Sequence, residues 1–150
     1  MCGICGIIDF SDRSIDPGVI DRMRDMMVDR GPDDAGTLVM PHAGLGHRRL
    51  SIIDLSARGH QPMCNEDQKI WMVFNGEIYN YQDLRPELEV AGHRFASNTD
   101  SEVLIHGYEE WGIEGLLKQI NGMFGLALWD AGRQELYLAR DRLGKKPLYY

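Results

Sequence analysis

The residue best suited to chemistry in this chain is Cys2, which only Met1 precedes. An initiator methionine before a small residue is usually removed, and Cys2 would then carry a thiol and a free α-amino group. The pKa of an α-amino group is roughly 7.7–8.0, so a useful fraction is unprotonated near neutral pH. One residue would thus hold a nucleophile together with its own general base. The apolar run 7–10 that follows predicts a strand, which is a rigid mount for such a residue.

The dipeptide Asn75-Gly76 is a second candidate, and two interpretations of it stay open. Asn-Gly tolerates positive φ and typically forms a turn, here at the end of a predicted strand over residues 69–74. Alternatively, the Asn75 carboxamide and the Gly76 N–H could serve as the two donors of an oxyanion hole, where glycine allows a substrate to approach closely. From the dipeptide alone, the turn is favoured.

Arg49 and Asp100 carry the charges that would bind a free amino acid. A guanidinium can bind an α-carboxylate through two parallel hydrogen bonds, and a carboxylate can bind an α-ammonium. Arg49 lies within residues 36–54, which predict short extended stretches, and Leu45, His47 and Arg49 would share one strand face there. Each of the two charged residues, taken alone, is typical of a protein surface, and composition does not show that they meet.

The spacing of Cys2 and Cys5 also fits a redox or metal site. A redox pair of this spacing usually opens a helix, whose N-terminus lowers the thiol pKa, whereas these two cysteines lie in a predicted strand. A zinc site needs further ligands, and the remaining candidates are scattered along the chain at Cys64, His42, His47, His60, His93 and His106. We therefore expect neither a redox site nor a metal site.

The elements that must position these residues follow the order strands, helix, strands, two or three helices, and strands. Asp16-Pro17 predicts a helix start, and residues 99–102 have the spacing of a capping box ahead of an apolar run. Residues 123–129 and 135–139 predict a hairpin. With most strand pairs formed by hairpins, this order indicates an α+β fold of packed layers.

Composition narrows the classes of function. The chain has 150 residues, a formal net charge of −7 and a pI of about 5.1, which argue against a protein that binds the phosphate backbone of nucleic acids. No apolar run approaches the roughly 20 residues that span a bilayer, and no signal peptide is visible, so no membrane association is expected. Three cysteines are too few for a disulfide scaffold, and we expect a reducing, cytoplasmic environment.

Six segments together resemble the glutaminase domain of class II glutamine amidotransferases. They occur in the family's order and cover essentially the whole chain: MCGICG at 1–6, RGPD at 30–33, HRRLSIID at 47–54, FNGEIYN at 74–80, TDSE at 99–102 and ARDRLGKKPLYY at 139–150. Within them, residues 49–54 and 75–80 are similar to those of glutamine-hydrolysing asparagine synthetases. The resemblance implies an α+β fold of four layers, the αββα sandwich of the N-terminal-nucleophile hydrolases.

The resemblance also implies the roles of the site residues. Cys2 attacks the side-chain carboxamide of L-glutamine, and a γ-glutamyl thioester forms before water releases glutamate. Asn75 and Gly76 hold the oxyanion, Arg49 binds the α-carboxylate, and Asp100 binds the α-ammonium. The remaining substrate contacts are expected from Leu50, Ser51, Ile52, Ile53 and Glu77. These steps need no metal and no cofactor.

Two substitutions depart from the family's pattern, because Asp29 stands where histidine is usual and Lys145 where an apolar residue is common. Neither removes an expected catalytic group. The sequence lacks the family's pyrophosphate-binding Ser-Gly-Gly loop, so ATP and Mg²⁺ are expected only in a synthetase domain outside these residues. The apolar run 147–150 predicts a strand. We therefore expect residues 1–150 to be one domain that is truncated at its C-terminus.

These observations lead to two functional hypotheses. The first is an amidohydrolase that supplies ammonia to the synthetase domain of an asparagine synthetase-like enzyme. The alternative is a catalytically silent domain of the same fold that acts as a binding or assembly module, which a retained Met1 would produce. An unpaired sheet edge near the end of the chain would also favour pairing between copies, so we expect the chain to self-associate as a homo-oligomer.

Overall fold

Within residues 1–11 and 13–150, which the computed structural model describes, the chain forms seven strands and three α-helices. The elements are, in chain order, β1 (Gly3–Ile8), α1 (Pro17–Asp25), β2 (Asp34–Met40), β3 (Ala43–Arg49), β4 (Met63–Cys64), β5 (Ile70–Ile78), α2 (Tyr81–Ala91), α3 (Glu102–Gln119), β6 (Gly122–Asp130) and β7 (Glu135–Arg140). A single 3-10 turn at Ala57–Gly59 lies between β3 and β4. None of the helices formed by these residues is long and apolar enough to cross a membrane.

The strands form two antiparallel sheets. The first sheet has the order β1-β3-β2, in which Cys5 pairs with Gly46. The second sheet has the order β4-β5-β6-β7, in which Asn75 pairs with Gly125. The predicted hairpin over residues 123–139 is confirmed as β6 and β7.

Alternating side chains on the central strands build two separate cores. On β5, Met72 and Phe74 belong to the core under α2 and α3, whereas Val73 belongs to the core between the sheets. On β6, Leu126 and Ala127 are divided in the same way. Successive strand residues point to opposite faces, so each strand serves two layers.

Helix α1 covers the outer face of the first sheet and forms a layer of its own. The Ile20 side chain of α1 packs directly against Gly44 and Gly46, which face outward. A Cβ on either glycine would crowd Ile20. The layers therefore run α1, first sheet, second sheet, and α2 with α3. The predicted αββα sandwich is confirmed.

The predicted helix start at Asp16-Pro17 is confirmed, with Pro17 at the first helical position. The Asp16 carboxylate accepts the Gly18 N–H at 2.8 Å and so satisfies one of the free donors at the start of α1. Helix α2 ends at Gly92, whose φ of 108° is the left-handed conformation that glycine adopts at little cost.

The predicted helix start is confirmed, because α3 begins at Glu102, but the predicted capping box is wrong. The Glu102 carboxylate accepts the N–H groups of Ala96 at 2.7 Å and Ser97 at 2.8 Å instead of turning back to the helix cap. The Thr99 hydroxyl pairs with that of Ser97 at 2.8 Å. Glu102 therefore holds the loop before α3 in place, which sequence spacing alone does not reveal.

The predicted strand over residues 147–150 is also wrong, because these residues form no ladder. The turn that follows β7 is organised by the Asp141 carboxylate, which accepts the backbone N–H groups of Phe124, Leu143, Lys145 and Lys146. After this turn, residues 148–150 line a pocket with residues of β1 and β7 without pairing with either strand, and Tyr149 and Tyr150 are exposed.

Candidate active site

Three strands deliver side chains to one cleft between the sheets. On β5, Val73 points into the inter-sheet core, so Asn75 projects from the same face two residues later. Arg49 lies on the inner face of β3 by the same alternation. Ile4 packs against the inter-sheet core from β1, and Cys2 shares its face. The predicted site residues that line this cleft are Cys2, Arg49, Leu50, Ile52, Ile53, Asn75, Gly76, Glu77 and Asp100.

The Cys2 thiol lies against the backbone of the residue that follows β3. The Leu50 N–H donates to Cys2 Sγ at 3.4 Å, and the Cys2 thiol in turn lies 3.8 Å from the Leu50 carbonyl oxygen. Met1 lines the cleft beside Cys2, and its Sδ contacts the buried Lys146 Nζ. The α-amino group belongs to Met1 while that residue is present, so Cys2 gains a free amine only when Met1 is removed.

The predicted turn at Asn75-Gly76 is wrong, because β5 continues to Ile78 and both residues pair with β6. Gly76 stands opposite Phe124, whose N–H and C=O both bond to Asp141 on the far side of β6. In an antiparallel ladder, a pair of this kind exchanges no hydrogen bonds between its two strands. The Gly76 N–H therefore points away from β6, towards the open edge of β5.

Two neighbouring N–H groups on that edge are satisfied by side chains. The Phe74 N–H donates to Gln61 Oε1 at 2.7 Å, and the Ile78 N–H donates to Asp100 Oδ2 at 2.8 Å. The Gly76 N–H lies between them, and Gly76 lines the cleft. An N–H group in this orientation can donate a hydrogen bond to an oxyanion in the cleft.

Glycine is required at position 76 by the packing of β5 on β6. A Cβ there would overlap the carbonyl oxygen of Met123 and would lie 2.7 Å from Phe124 Cα. Both neighbours are backbone, so neither can move aside cheaply. The absence of a side chain thus allows the strands to pair and leaves the edge N–H open to the cleft.

Arg49 is buried and has a structural task as well as a place in the cleft. Its guanidinium donates to the carbonyls of Ser56, at 2.8 Å, and Asp54. A Cβ on Gly59 would overlap the same guanidinium. An arginine has five N–H donors, so further donors remain for a ligand carboxylate.

The loop that Arg49 supports is also fastened at both ends. The Ser51 N–H donates to Asp33 Oδ2 at 2.7 Å, and the Asn98 N–H donates to Asp54 Oδ2 at 3.0 Å. Hydrogen bonds from Ser56 and Asn98 lower the pKa of Asp54 to about 2. This loop places Ile52 and Ile53 at the mouth of the cleft, where Ile52 is 71% exposed.

Asp100 supplies a buried carboxylate to the same cleft. Burial raises the pKa of Asp100, and the Glu77 carboxylate raises it further, against the backbone N–H groups of Ile78 and Ser101. A ligand cation would relieve both effects, because an opposite charge favours the ionised form. The cleft thus combines a thiol, an open backbone donor, a guanidinium and a carboxylate.

Comparison with known proteins assigns the chain to a family. Residues 1–150 match the family model described as a glutamine amidotransferase domain. The chain belongs to the glutamine amidotransferase family. It is 43% identical over 153 residues to asparagine synthetase [glutamine-hydrolyzing] 3 of Bacillus subtilis (strain 168), and 43% identical over 153 residues to asparagine synthetase [glutamine-hydrolyzing] 1 of the same organism. The resemblance seen in the sequence motifs is thereby confirmed.

The amidotransferase domain matches these relatives over all of its own length. It spans only 25% and 24% of theirs. Among solved structures, it is similar to the glutamine phosphoribosylpyrophosphate amidotransferase from B. subtilis, with a TM-score of 0.57 and 22% identity. That match covers 69% of this chain and 24% of the other, and it supports the fold.

One predicted site residue of the amidotransferase domain lies outside the cleft, and several cleft residues were missed. Ser51 faces a neighbouring depression with Asp33 and contributes its backbone to the loop. The cleft residues without a sequence prediction are Met1, Asp54, Gly59, Gln61, Phe74, Thr99, Ser101, Met123 and Lys146. Most of them lie within or beside the six motifs, so their position in the motifs could have predicted that they line the cleft.

The side chains of Cys2 and Cys5 lie on opposite sides of the first sheet, Cys2 in the cleft and Cys5 towards α1, which excludes a joint redox or metal role for this pair in this conformation. Cys5 Sγ packs beside Gly46, on the side of the sheet that α1 covers. Burial raises the pKa of the Cys5 thiol to about 11, so it stays protonated near neutral pH. Cys2 is thus the cysteine of the motif that the cleft can use.

A buried histidine supports the strand that carries Asn75. His47 Nε2 donates to the Phe74 carbonyl at 3.1 Å, while His47 Nδ1 has no partner among the described residues. Burial lowers the pKa of His47 to about 4, so the imidazole is neutral near neutral pH. A neutral ring fits these surroundings, because the described residues give the imidazole one hydrogen-bond acceptor and no ion-pair partner.

Folding stability should therefore depend on pH through His47. Above a pH of about 6.5, both states hold a neutral imidazole and the full contribution is present. As the pH falls towards about 4, the unfolded state binds a proton that the folded state refuses, and the free energy of unfolding should drop by roughly 3 kcal/mol. Urea unfolding between these pH values measures the drop. His47→Gln should remove this part of the pH dependence, and an unchanged profile would contradict the assignment.

Proposed function

We propose that this domain hydrolyses L-glutamine to glutamate and ammonia with Cys2 as the nucleophile. The observation that carries the proposal is the convergence of four groups on one cleft: the Cys2 thiol, the Gly76 N–H, the Arg49 guanidinium and the Asp100 carboxylate. The two charges are those needed to hold a free amino acid by its α-groups. The other two groups serve the reacting carboxamide.

The reaction begins once Met1 has been removed. The α-amine of Cys2 takes the proton of its own thiol, and Sγ attacks the carboxamide carbon of glutamine. The Asn75 carboxamide and the Gly76 N–H donate to the oxygen that becomes negative. The carbon–nitrogen bond then breaks, and the protonated amine of Cys2 supplies the proton with which ammonia leaves. A γ-glutamyl thioester remains on Cys2.

The second half of the reaction returns the enzyme to its starting state. Water attacks the thioester carbon, and the same amine accepts a proton from it. The carbon–sulfur bond breaks, glutamate is released, and the Cys2 thiol is restored. These steps use side chains and backbone of this domain and need no cofactor. They require a reduced thiol, which is consistent with the expected cytoplasmic environment.

We extend the proposal to the protein that contains this domain. The relatives named as glutamine-hydrolysing asparagine synthetases are about four times as long as the matched region. The ammonia is proposed to pass to a synthetase domain of the parent chain, where ATP and Mg²⁺ would be used. Supplying aspartate, ATP and glutamine to the full-length protein and measuring asparagine tests that extension.

Selection of free glutamine should fail when the charge of Asp100 is removed. Asp100→Asn keeps an oxygen that can accept the Ile78 N–H, but it no longer attracts an ammonium. A hydrogen bond to a charged group contributes about 1.5–3 kcal/mol, so kcat/KM for glutamine should fall roughly 10–100-fold, mainly through KM. Steady-state release of glutamate by the processed chain measures this effect.

A substrate analogue without the α-amino group separates recognition from general damage. The wild type should prefer glutamine over the analogue, whereas Asp100→Asn should treat the two alike. Asp83→Asn, on the exposed start of α2, is the matched control and should keep the preference. If Asp100→Asn keeps the full wild-type preference, Asp100 does not bind the ammonium. If the processed wild type releases no glutamate, the proposed function itself is wrong.

A further inference from the structure

A cluster of two histidines and three glutamates lies on the first turns of α3 and the loop after α2, and none of its members lines the cleft described above. His93 follows α2, and His106 and Glu109 lie one turn apart on α3. One ligand atom from each of these three residues lies within 4.8 Å of the other two. The sequence alone did not pair His93 with His106, yet their rings are 5.1 Å apart between centroids.

The two separations between a histidine nitrogen and the Glu109 carboxylate are close to those around a tetrahedral metal ion, and the two histidine nitrogens lie within 4.8 Å of each other. His106 Nδ1 is 3.1 Å from Glu109 Oε2, and His93 Nδ1 is 3.7 Å from the same oxygen. Ligand atoms around zinc lie about 3.4 Å apart, which is the edge of a tetrahedron with bonds of about 2.1 Å. Small side-chain rotations would therefore bring the three atoms to bonding distance.

Each of the three groups also has an outer partner on its other polar atom. His106 Nε2 lies 3.7 Å from Glu102 Oε1, and His93 Nε2 lies 3.2 Å from Glu110 Oε2. Asn65 Nδ2 donates to Glu109 Oε1 at 2.8 Å. Histidine ligands of metals characteristically present the second ring nitrogen to a carboxylate, which sets the ring orientation and raises basicity.

We propose that His93, His106 and Glu109 form a binding site for Zn²⁺ or a similar divalent first-row metal ion. Two imidazoles and one carboxylate are a donor set that zinc accepts, with a fourth position left for water. Glu102 and Glu110 add negative charge behind the ligands. His106 is almost fully buried, while Glu109 is exposed, so an ion can enter from the solvent side.

A metal ion at this site would connect the loop after α2 to the body of α3. His93 belongs to that loop, whereas His106 and Glu109 belong to the helix. Glu102, the outer partner of His106, also holds the N–H groups of Ala96 and Ser97 in the same loop. The ion would therefore stabilise the segment between the two helices, and with it the start of α3.

Metal titration tests the proposal on the intact chain. After dialysis against a chelator, the protein is titrated with Co²⁺, whose visible absorption reports its ligands, and the Co²⁺ is then displaced with Zn²⁺. We expect one equivalent to bind with the spectrum of nitrogen and oxygen ligands. A thiolate-to-cobalt charge-transfer band would place the ion on a cysteine instead and would overturn the proposal.

Three substitutions and two controls identify the site. His93→Gln and Glu109→Gln each remove a ligand and should weaken Zn²⁺ binding by more than tenfold. Glu110→Gln removes only the outer partner of His93 and should weaken Zn²⁺ binding by about tenfold. Glu110 is exposed, so this variant tests the site without changing a buried residue. His60→Gln and Glu114→Gln, which lie elsewhere, should bind like the wild type. Absence of binding by the wild type, or wild-type affinity in the two ligand variants, would overturn the proposal.

Discussion

Replacing Cys2 by alanine is expected to lower kcat for glutamine hydrolysis by roughly 10⁴–10⁶-fold, which is the scale seen when a nucleophile is removed from a hydrolase. The loss follows because Cys2 is the one cysteine among the described residues that lines the cleft. Cys5 lies on the opposite face of β1, and Cys64 lies in β4. Cys5→Ala and Cys64→Ala are therefore matched controls that should keep glutaminase activity. Glutamate release by the processed chains measures all three variants.

Two further measurements decide whether Cys2 acts as an N-terminal residue. A chain that retains Met1, verified by mass spectrometry, should be inactive because its Cys2 amine is an amide. A diazo-ketone analogue of glutamine should label the processed chain once, at Cys2. Labelling at Cys5 or Cys64, or full activity with Met1 in place, would refute the assignment.

Asn75→Ala is expected to lower kcat by about 10²–10³-fold, with a smaller change in KM. Removal of one oxyanion donor costs about 2.7–4 kcal/mol of transition-state stabilisation, and the ground-state carbonyl benefits much less from that donor. Asn75 pairs with Gly125 through its backbone, which alanine preserves. The strand should therefore remain intact, and circular dichroism can verify this.

Asn121→Ala, at an exposed position, is the matched control for this experiment and should retain wild-type kcat. Whether the substitution changes kcat or KM decides if Asn75 acts on the transition state or on the bound substrate. A rise in KM at constant kcat would make Asn75 a ground-state binding residue, and the oxyanion would then depend on Gly76 and other donors.

Several features of the fold followed from local patterns in the sequence. The alternation of Leu45, His47 and Arg49 predicted a shared strand face, and that face does point into the sandwich. The cap at Asp16 and the hairpin of β6 with β7 also followed from short-range rules. These features depend on neighbours in sequence, so the sequence contains what is needed to predict them.

The errors arose where long-range pairing overrides a local preference. Asn75-Gly76 favours a turn in isolation, but β6 pairs along the whole of β5 and keeps both residues extended. The spacing of Thr99 and Glu102 fits a capping box, but the carboxylate finds better donors in the loop before α3. Which donors are near enough is decided by tertiary structure, and spacing does not encode it.

The cleft itself could be predicted only as a set of residues. The motifs pointed to Cys2, Arg49 and Asp100, but nothing in their spacing showed that they share one cavity. The contribution of the backbone was even harder to predict from the sequence. The Gly76 N–H points towards the cleft because the N–H and C=O of Phe124, its partner on β6, bond to Asp141 instead. That direction therefore depends on β5, β6 and the turn after β7, which are far apart in the sequence.

In the proposed binding mode, the double task of Arg49 makes the two ends of the glutamine substrate unequal for protein engineering. Its guanidinium supports the loop through the carbonyls of Asp54 and Ser56, and no neutral side chain has the same shape and donors. Asp100 does have a neutral counterpart, because asparagine can still accept the Ile78 N–H. Redesign for substrates with an altered amino group can therefore proceed by single substitutions, whereas redesign at the carboxylate end must rebuild the loop together with the arginine.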